Sequence, residues 1–267
     1  MSFCCLVAYN FRDHTPCLAS RVDIMKIATW NLAATPNISE VMRTLDEYEV
    51  EIAAFQELDI YSSRSKQLRP EAWVAASTGY NFFYFPTLLL LSESACARPP
   101  NFGIAIATRH PVSWTMNFLL GPRQYGPPNA EIEMRALALA CIATPHRRIV
   151  FGCTHLAHTA GFEPSRIRKS QAENISNITN DLAAKDTCVI GGDYNVPPES
   201  KDLQVLKEQF LISATSGSSG ATYCNPETQE KHIIDYFFYR HCTVHNAQAV
   251  WRQSVSDHAL LLADLQD

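Results

Sequence analysis

The sequence predicts an α/β protein dominated by strands, on three observations. Short apolar runs recur along most of the chain, among them KIATWN, IAAFQE, GIAIATRHPV, RALALACIAT, RRIVFGCTH and TCVIGGD. Helical spacing of apolar residues appears in only a few places between them. Finally, 267 residues, 46% hydrophobic and 18% charged, suit one large α/β or β-sandwich domain, or two small ones, with a substantial core.

Taken in order, residues 1–24 show no clear period, and the strand-like run begins at Met25. Residues 1–25 are therefore expected to be an extension, disordered or an edge strand, ahead of a single domain over 26–267. Asn37-Ile-Ser-Glu40 has capping-box spacing before Val41, Leu45 and Tyr48, so a helix starts near residue 38. A buried strand ending in acids follows (VEIAAFQELD), then a helical stretch over 66–79 and the extended NFFYFPTLLLL. Residues 103–112 and 135–144 are apolar strands around a Pro/Gly-rich loop at 121–128. Another strand, RRIVFGCTHL, leads to an amphipathic helix with Ile167, Ile175, Ile178 and Leu182 near helical spacing. The order closes with TCVIGGD, a polar loop over 213–222, HIIDYFFYR, and a last strand after SDH.

Charge and cysteines bound the setting. A net charge of −5 gives no overall basic surface of the kind that advertises nucleic acid. The nine cysteines form no CxxC pair, and Cys141, Cys153 and Cys188 lie inside apolar runs as small buried hydrophobes. A reduced, cytoplasmic, soluble protein acting as a monomer is expected. The sequons at Asn37, Asn174 and Asn177 point toward secretion, but the first residues lack a signal-peptide pattern. The longest apolar stretch, Phe82 to Leu91, contains Pro86 and is too short to span a bilayer.

The chemistry shows in how the strands end. Asn31 closes KIATWN, Glu57 closes IAAFQE, His155 closes IVFGCTH, and Asp193 and Asn195 close CVIGGDYN. Asp235 lies within HIIDYFF, and Asp257-His258 precede the last strand. Each alone could be a turn or capping residue. Together they imply strand ends converging on one cleft. Such a set suits metal-assisted phosphoester hydrolysis: hard carboxylate oxygens for Mg²⁺, a histidine with an acidic partner for proton transfer, and amide and imidazole donors for phosphoryl oxygens. A zinc cluster of Cys153, His155 and His158 is the competing reading of His155, although its spacing lacks a partner pair. Trp30 and Tyr236 read as core residues. No Walker A, GxSxG or HExxH pattern is present.

ATWNL, FQELD, GIAIATRHP, CTHL, GGDYN, IDYFF and SDHALLLADL, in this order and spacing, resemble the endonuclease/exonuclease/phosphatase superfamily over residues 26–266. That superfamily includes DNase I-like nucleases, apurinic endonucleases, tyrosyl-DNA phosphodiesterases, inositol polyphosphate 5-phosphatases and neutral sphingomyelinases. The resemblance implies a four-layer α/β/β/α sandwich of two mixed sheets and a Mg²⁺-dependent phosphoester hydrolase, with Mn²⁺ as a substitute ion. It implies that Glu57 is the direct metal ligand, with Asn31 at the metal site and Asp257 assisting. Asp193 would orient or deprotonate the attacking water, and Asn195 would contact the scissile phosphate. His258 would pair with Asp235 as an acid/base dyad, and His155 would donate to the transition-state oxyanion. Arg64 matches a family arginine near the substrate, and Arg168-x-x-Gln171 resembles a family pattern read as structural.

The superfamily shares a reaction rather than a substrate. The tryptophan and Cys-Asp-Arg that flank inositol 5-phosphatase motifs are missing here. A nucleic-acid phosphodiester is the first expectation, and a small or lipid phosphoester the second. The loops 61–68, 86–102, 116–134 and 213–224 are the expected specificity surface. A non-catalytic binding module on the same scaffold is the reading from another class. It is disfavoured because Glu57, Asp193, Asn195, Asp257 and His258 are all present.

Overall fold

A computed structural model describes residues 24–35, 37–60, 66, 72–73, 76–89, 101–122, 134–216 and 220–266. Two six-stranded mixed sheets face one another, as expected. The first is built from β1 (Met25–Asn31), β2 (Ile52–Ile60), β3 (Asn81–Leu89), β4 (Asn101–Thr108), β13 (Thr243–Val250) and β14 (Leu260–Gln266), in the order β13-β14-β1-β2-β4-β3. The second is built from β5 (Val112–Pro122), β6 (Met134–Ala143), β7 (Arg148–His155), β8 (Thr187–Asp193), β9 (Leu211–Ser213) and β12 (Asp235–Arg240), in the order β5-β6-β7-β8-β12-β9. The hairpin of β10 (Tyr223–Cys224) and β11 (Lys231–His232) stands apart.

Each sheet has one parallel pair at its centre, β1 with β2 and β7 with β8. A parallel pair needs a crossover, and a helix supplies it each time: α1 (Ile38–Glu47) and α2 (Arg166–Ala183). A third helix, α3, is a single turn at Gln204–Lys207. Among the described residues, no helix is long and apolar enough to cross a membrane.

Asn37 caps α1, its side-chain oxygen accepting from the Glu40 amide at 3.4 Å. Ile38, Val41, Met42 and Leu45 form the helix's buried face over the outer side of the first sheet. On β1 the alternation is clean. Ala28 and Trp30 face α1, while Ile27 joins the core between the sheets. In α2 the buried stripe is Arg168, Gln171, Ala172, Ile175, Ser176, Thr179 and Ala183. Of the four expected apolar positions only Ile175 is in it, whereas Ile167, Ile178 and Leu182 flank it half-buried. Burying a guidinium-bearing side chain there is tolerated because Arg168 is fully partnered: Asp202 at 2.6 Å, and the carbonyls of Ala157 and Glu163 at 2.9 and 2.7 Å.

Two glycines let β8 pack closely, Gly191 against the facing sheet and Gly192 against its own neighbour β7. A Cβ at Gly191 would lie 2.8 Å from the Phe237 ring and 3.0 Å from Thr29 of the facing sheet, and one at Gly192 would collide with the Thr154 carbonyl. The GG of GGDYN is thus a packing requirement of β8. Trp30 and Tyr236 are fully buried, as expected of core residues.

Candidate active site

The topology brings the carboxyl ends of β1, β7 and β8 to the same edge of the sandwich. Asn31, His155 and Asp193 are the last residues of those strands. Antiparallel neighbours arrive with their starts: Asp235 opens β12 opposite Asp193, and His258 stands two residues before β14. Glu57 reaches the same place differently. A register shift between Phe55 and Leu58 interrupts β2, and Glu57 takes the left-handed backbone conformation at φ 57°. That bulge turns its carboxylate into the cleft. Asn195 takes the same conformation, at φ 55°, as do Ala33 and Phe162 of the cleft lining. Non-glycine residues in this region carry a local energetic cost and cluster at functional sites.

Asp193 is the hub. Its Oδ2 accepts from Asn31 Nδ2 at 3.0 Å and faces the Nε2 atoms of His155 at 3.5 Å and His258 at 3.9 Å. Its Oδ1 accepts from the Asn195 amide at 2.8 Å. Asn31 Nδ2 also reaches Glu57 Oε1 at 3.2 Å, linking the two carboxylates. Asn195 is held by its Nδ2 on the Leu156 carbonyl at 3.0 Å. Asp257 lies on the cleft wall, its Oδ1 3.4 Å from Ser256 Oγ.

The two histidines have different partners and hence different proton states. His258 Nδ1 meets Asp235 Oδ2 at 2.9 Å. Burial opposes its charging most strongly, yet Asp235, by charge and hydrogen bond, together with the Asp193 and Asp257 carboxylates lifts the imidazole to about 10. At neutral pH His258 is an imidazolium whose Nε2–H faces Asp193. His155 Nδ1 lies 2.9 Å from Arg135 Nη1. A guanidinium only donates, so Nδ1 accepts, and the imidazole proton sits on Nε2, facing the cleft. Burial raises the Glu57 carboxyl against the opposing Asn31 hydrogen bond. Asp193 is raised by burial first and by Asp235 second.

These sites sit in a cleft of about 800 Å³. A divalent ion fits its donor set. Glu57, Asp193 and Asp257 offer hard oxygens, and Arg135 is the one Lys or Arg among the described lining residues. The tightest group of metal-competent atoms is Asp193, Asp235 and His258, within 4.8 Å. His258 Nδ1 is already committed to Asp235, an arrangement suited to passing a proton. The zinc reading of Cys153 fails on burial. Its Sγ contacts the Phe55 carbonyl at 3.2 Å and Gln56 Nε2 at 3.3 Å between the sheets, and burial pushes the thiol up to about 12. Zinc takes the thiolate.

Arg64 lies outside the described residues. Arg135 was missed by sequence reasoning, although a charge at the head of the apolar run RALALACIA was its signal. Ser256 and Thr222 were missed as well. Ser256 Oγ donates to the Asn31 carbonyl at 2.7 Å and accepts from the His258 amide at 3.0 Å, and Thr222 Oγ1 accepts from the Asp235 amide at 3.0 Å. Lone hydroxyls in loop sequence carry no such signal.

Solved structures with this fold include an endonuclease/exonuclease/phosphatase from Bacteroides vulgatus (16% identity, 91% of this chain and 98% of that one, TM-score 0.67). The human nocturnin catalytic domain, with a bound sulfate, matches at 18% identity over 92% and 96% (TM-score 0.64). A mannosyl-6-phosphatase of Bacteroides thetaiotaomicron matches at 12% over 90% and 99% (TM-score 0.63). No curated protein matches the sequence. The sequence profile described as "Endonuclease/Exonuclease/phosphatase family" spans residues 28–258, from β1 to the histidine of the relay, and the chain belongs to that family.

Proposed function

We propose that the protein is a Mg²⁺-dependent phosphoester hydrolase acting by in-line attack of a water on phosphorus. The family is one of phosphoester hydrolases. The observation that carries the reading is the single oxygen, Asp193 Oδ2, ringed by Asn31, His155 and His258. A carboxylate whose proton affinity is raised by burial serves as the acceptor for a proton of the attacking water. His155 Nε2–H and the Asn195 carboxamide donate to phosphoryl oxygens as charge grows there. His258, charged and oriented by Asp235, gives its Nε2 proton to the ester oxygen that leaves as its bond to phosphorus breaks. Glu57, with Asn31 and Asp257 beside it, would hold the divalent ion, which neutralises phosphoryl charge when bound.

A nucleic-acid phosphodiester and a small or lipid phosphoester are the two substrate readings. One observation favours the second. Among the described residues, the cleft offers Arg135 against the carboxylates of Glu57, Asp193, Glu230 and Asp257, a poor track for a polyanion. The mannosyl-6-phosphatase likeness supports a fold that takes a small ester. The test is a Mg²⁺-dependent screen across DNA, RNA, phosphotyrosyl-DNA, inositol phosphates, sphingomyelin and sugar phosphates, with chelator controls. Turnover of a small ester that chelator abolishes is expected. Any polynucleotide turnover should show a shallow salt slope, Z of roughly two to four. No turnover of any phosphoester with Mg²⁺ or Mn²⁺ would sink the proposal.

A further inference from the structure

Beside the catalytic edge, the cleft has a wall that the chemistry above does not use. Phe162 and His232 meet edge to face, ring centroids 4.6 Å apart at 68°. Tyr223 continues the wall, 6.4 Å from His232 at 24° and 4.7 Å from His258. Glu230 Oε2 stands 3.9 Å from His232 Nε2. All five residues line the cleft.

The wall is fixed to the relay through backbone. The Thr222 amide donates to the His232 carbonyl, and the Ala259 amide to the Thr222 carbonyl, at 2.9 and 2.7 Å. The Cys224 amide donates to the Asp257 carbonyl at 3.0 Å. The break at Ile233–Ile234, between β11 and β12, lets one run present His232 to the wall and Asp235 to the relay. Phe162 is held there at φ 59°, a conformation that a bulky side chain rarely adopts without a local demand.

We infer that Phe162, His232 and Glu230 form a subsite for a sugar ring esterified to the phosphate. This rests on the hydrolase reading for the phosphate's place. Two rings at 68° make a corner, which suits a puckered ring better than a planar base. Tyr223 and His232 stand too close to clamp a base between them, since two stacking contacts of ~3.5 Å need about 7 Å. The C–H face of a sugar packs on the rings, and a hydroxyl donates to the Glu230 carboxylate. The same carboxylate disfavours a second phosphate at that position.

The test compares kcat/KM for glucose 6-phosphate, glycerol phosphate and adenosine 5′-monophosphate in the full chain with Mg²⁺. The wild type should favour the sugar ester over glycerol phosphate by about tenfold or more, the scale of one well-filled apolar contact. Phe162→Ala and His232→Ala should bring that ratio toward one through KM, Glu230→Gln should lower it about threefold, and His232→Phe should keep most of it. Magnetisation transfer from aromatic protons to the sugar ring should be present in the wild type and lost in both alanine variants. Transfer without any hydrolysis would remove the hydrolase reading and leave the subsite. Hydrolysis with a ratio indifferent to these variants, or a nucleotide preference lost in them, would overturn the sugar subsite.

Discussion

Asp235 and His258 are 23 positions apart in sequence and share the shortest side-chain contact to a histidine of the relay, 2.9 Å, with Asp235 fully buried. Replacing Asp235 by Asn keeps the shape and removes the charge. His258, lifted to about 10 by Asp235 together with Asp193 and Asp257, should then titrate at lower pH, because burial is opposed by the two remaining carboxylates alone. The sign follows for stability. In the wild type, the paired imidazolium stabilises the fold fully below pH 6.5, and that contribution is lost as pH rises through about 10. In Asp235→Asn this loss should be smaller and begin at lower pH, read from urea midpoints of the metal-free protein. Activity should drop by roughly 10²–10⁴-fold, the usual weight of a positioned proton donor. An unchanged imidazole titration by NMR would mean that the two do not interact. The residues of this relay were legible in the sequence because Asp193 ends an apolar run, Asp235 interrupts one and His258 precedes one. Their proton states were not. The Arg135 guanidinium that sets the His155 tautomer comes from a strand two positions away in the sheet order from β8, and only the paired register shows it.

Elements were legible where burial dictated their pattern. The central strands and α1 fall where the sequence places them, since two-sided burial demands continuous apolar runs and the capping box marks a helix start. Among the edge strands β3 falls within the expected NFFYFPTLLLL, whereas β5 and β13 were not legible. β5 mixes buried and exposed positions along its length, and β13 carries Asn, Gln and His, because strands at or near a sheet margin need satisfy only one neighbour or face. HIIDYFFYR reads as one strand but is two, broken at Ile233–Ile234. Of the helix expected over 66–79, residues 72–73 and 76 are helical, whereas 66 and 77–79 lie in turns or irregular chain, and 67–71 and 74–75 lie outside the described residues. At α2, Arg168 ties the helix start to Asp202 and to the chain over 157–163, which carries His158 and Phe162 into the cleft. Arg168→Met should cost about 3–5 kcal/mol, since it strands Asp202 without its partner. It should also raise KM more than it lowers kcat, because the helix start anchors the aromatic wall rather than the relay. A variant as stable as wild type in urea would show that Asp202 finds another partner.

At the scale of the whole molecule, the two sheets repeat one plan. In each sheet an antiparallel hairpin leads to a helix-linked parallel pair and then two outer strands: β13-β14 before β1-β2, and β5-β6 before β7-β8. Facing one another, the halves place Asn31 and Glu57 from one sheet against His155 and Asp193 from the other. The candidate site is therefore an interface between half-molecules, joined by the Asn31–Asp193 hydrogen bond, where burial raises both the Glu57 and the Asp193 carboxyl. An ion bound by groups from both halves should link them. It binds the folded arrangement and has no comparable site in the unfolded chain, so Mg²⁺ at a hundred times its dissociation constant should add about 2.7 kcal/mol. For a chain of this size that is a rise in Tm of roughly 5–10 °C, reversed by chelator. Glu57→Gln keeps the Asn31 contact but removes the charge that holds the ion. Its metal-free Tm should match or exceed the wild type's, because burial disfavours the ionised carboxyl. Its Mg²⁺-dependent rise should be lost, together with hydrolysis. A Tm that climbs with Mg²⁺ equally in Glu57→Gln and wild type would place the ion elsewhere, and would separate the metal's role from the carboxylate that the bulge of β2 turns into the cleft.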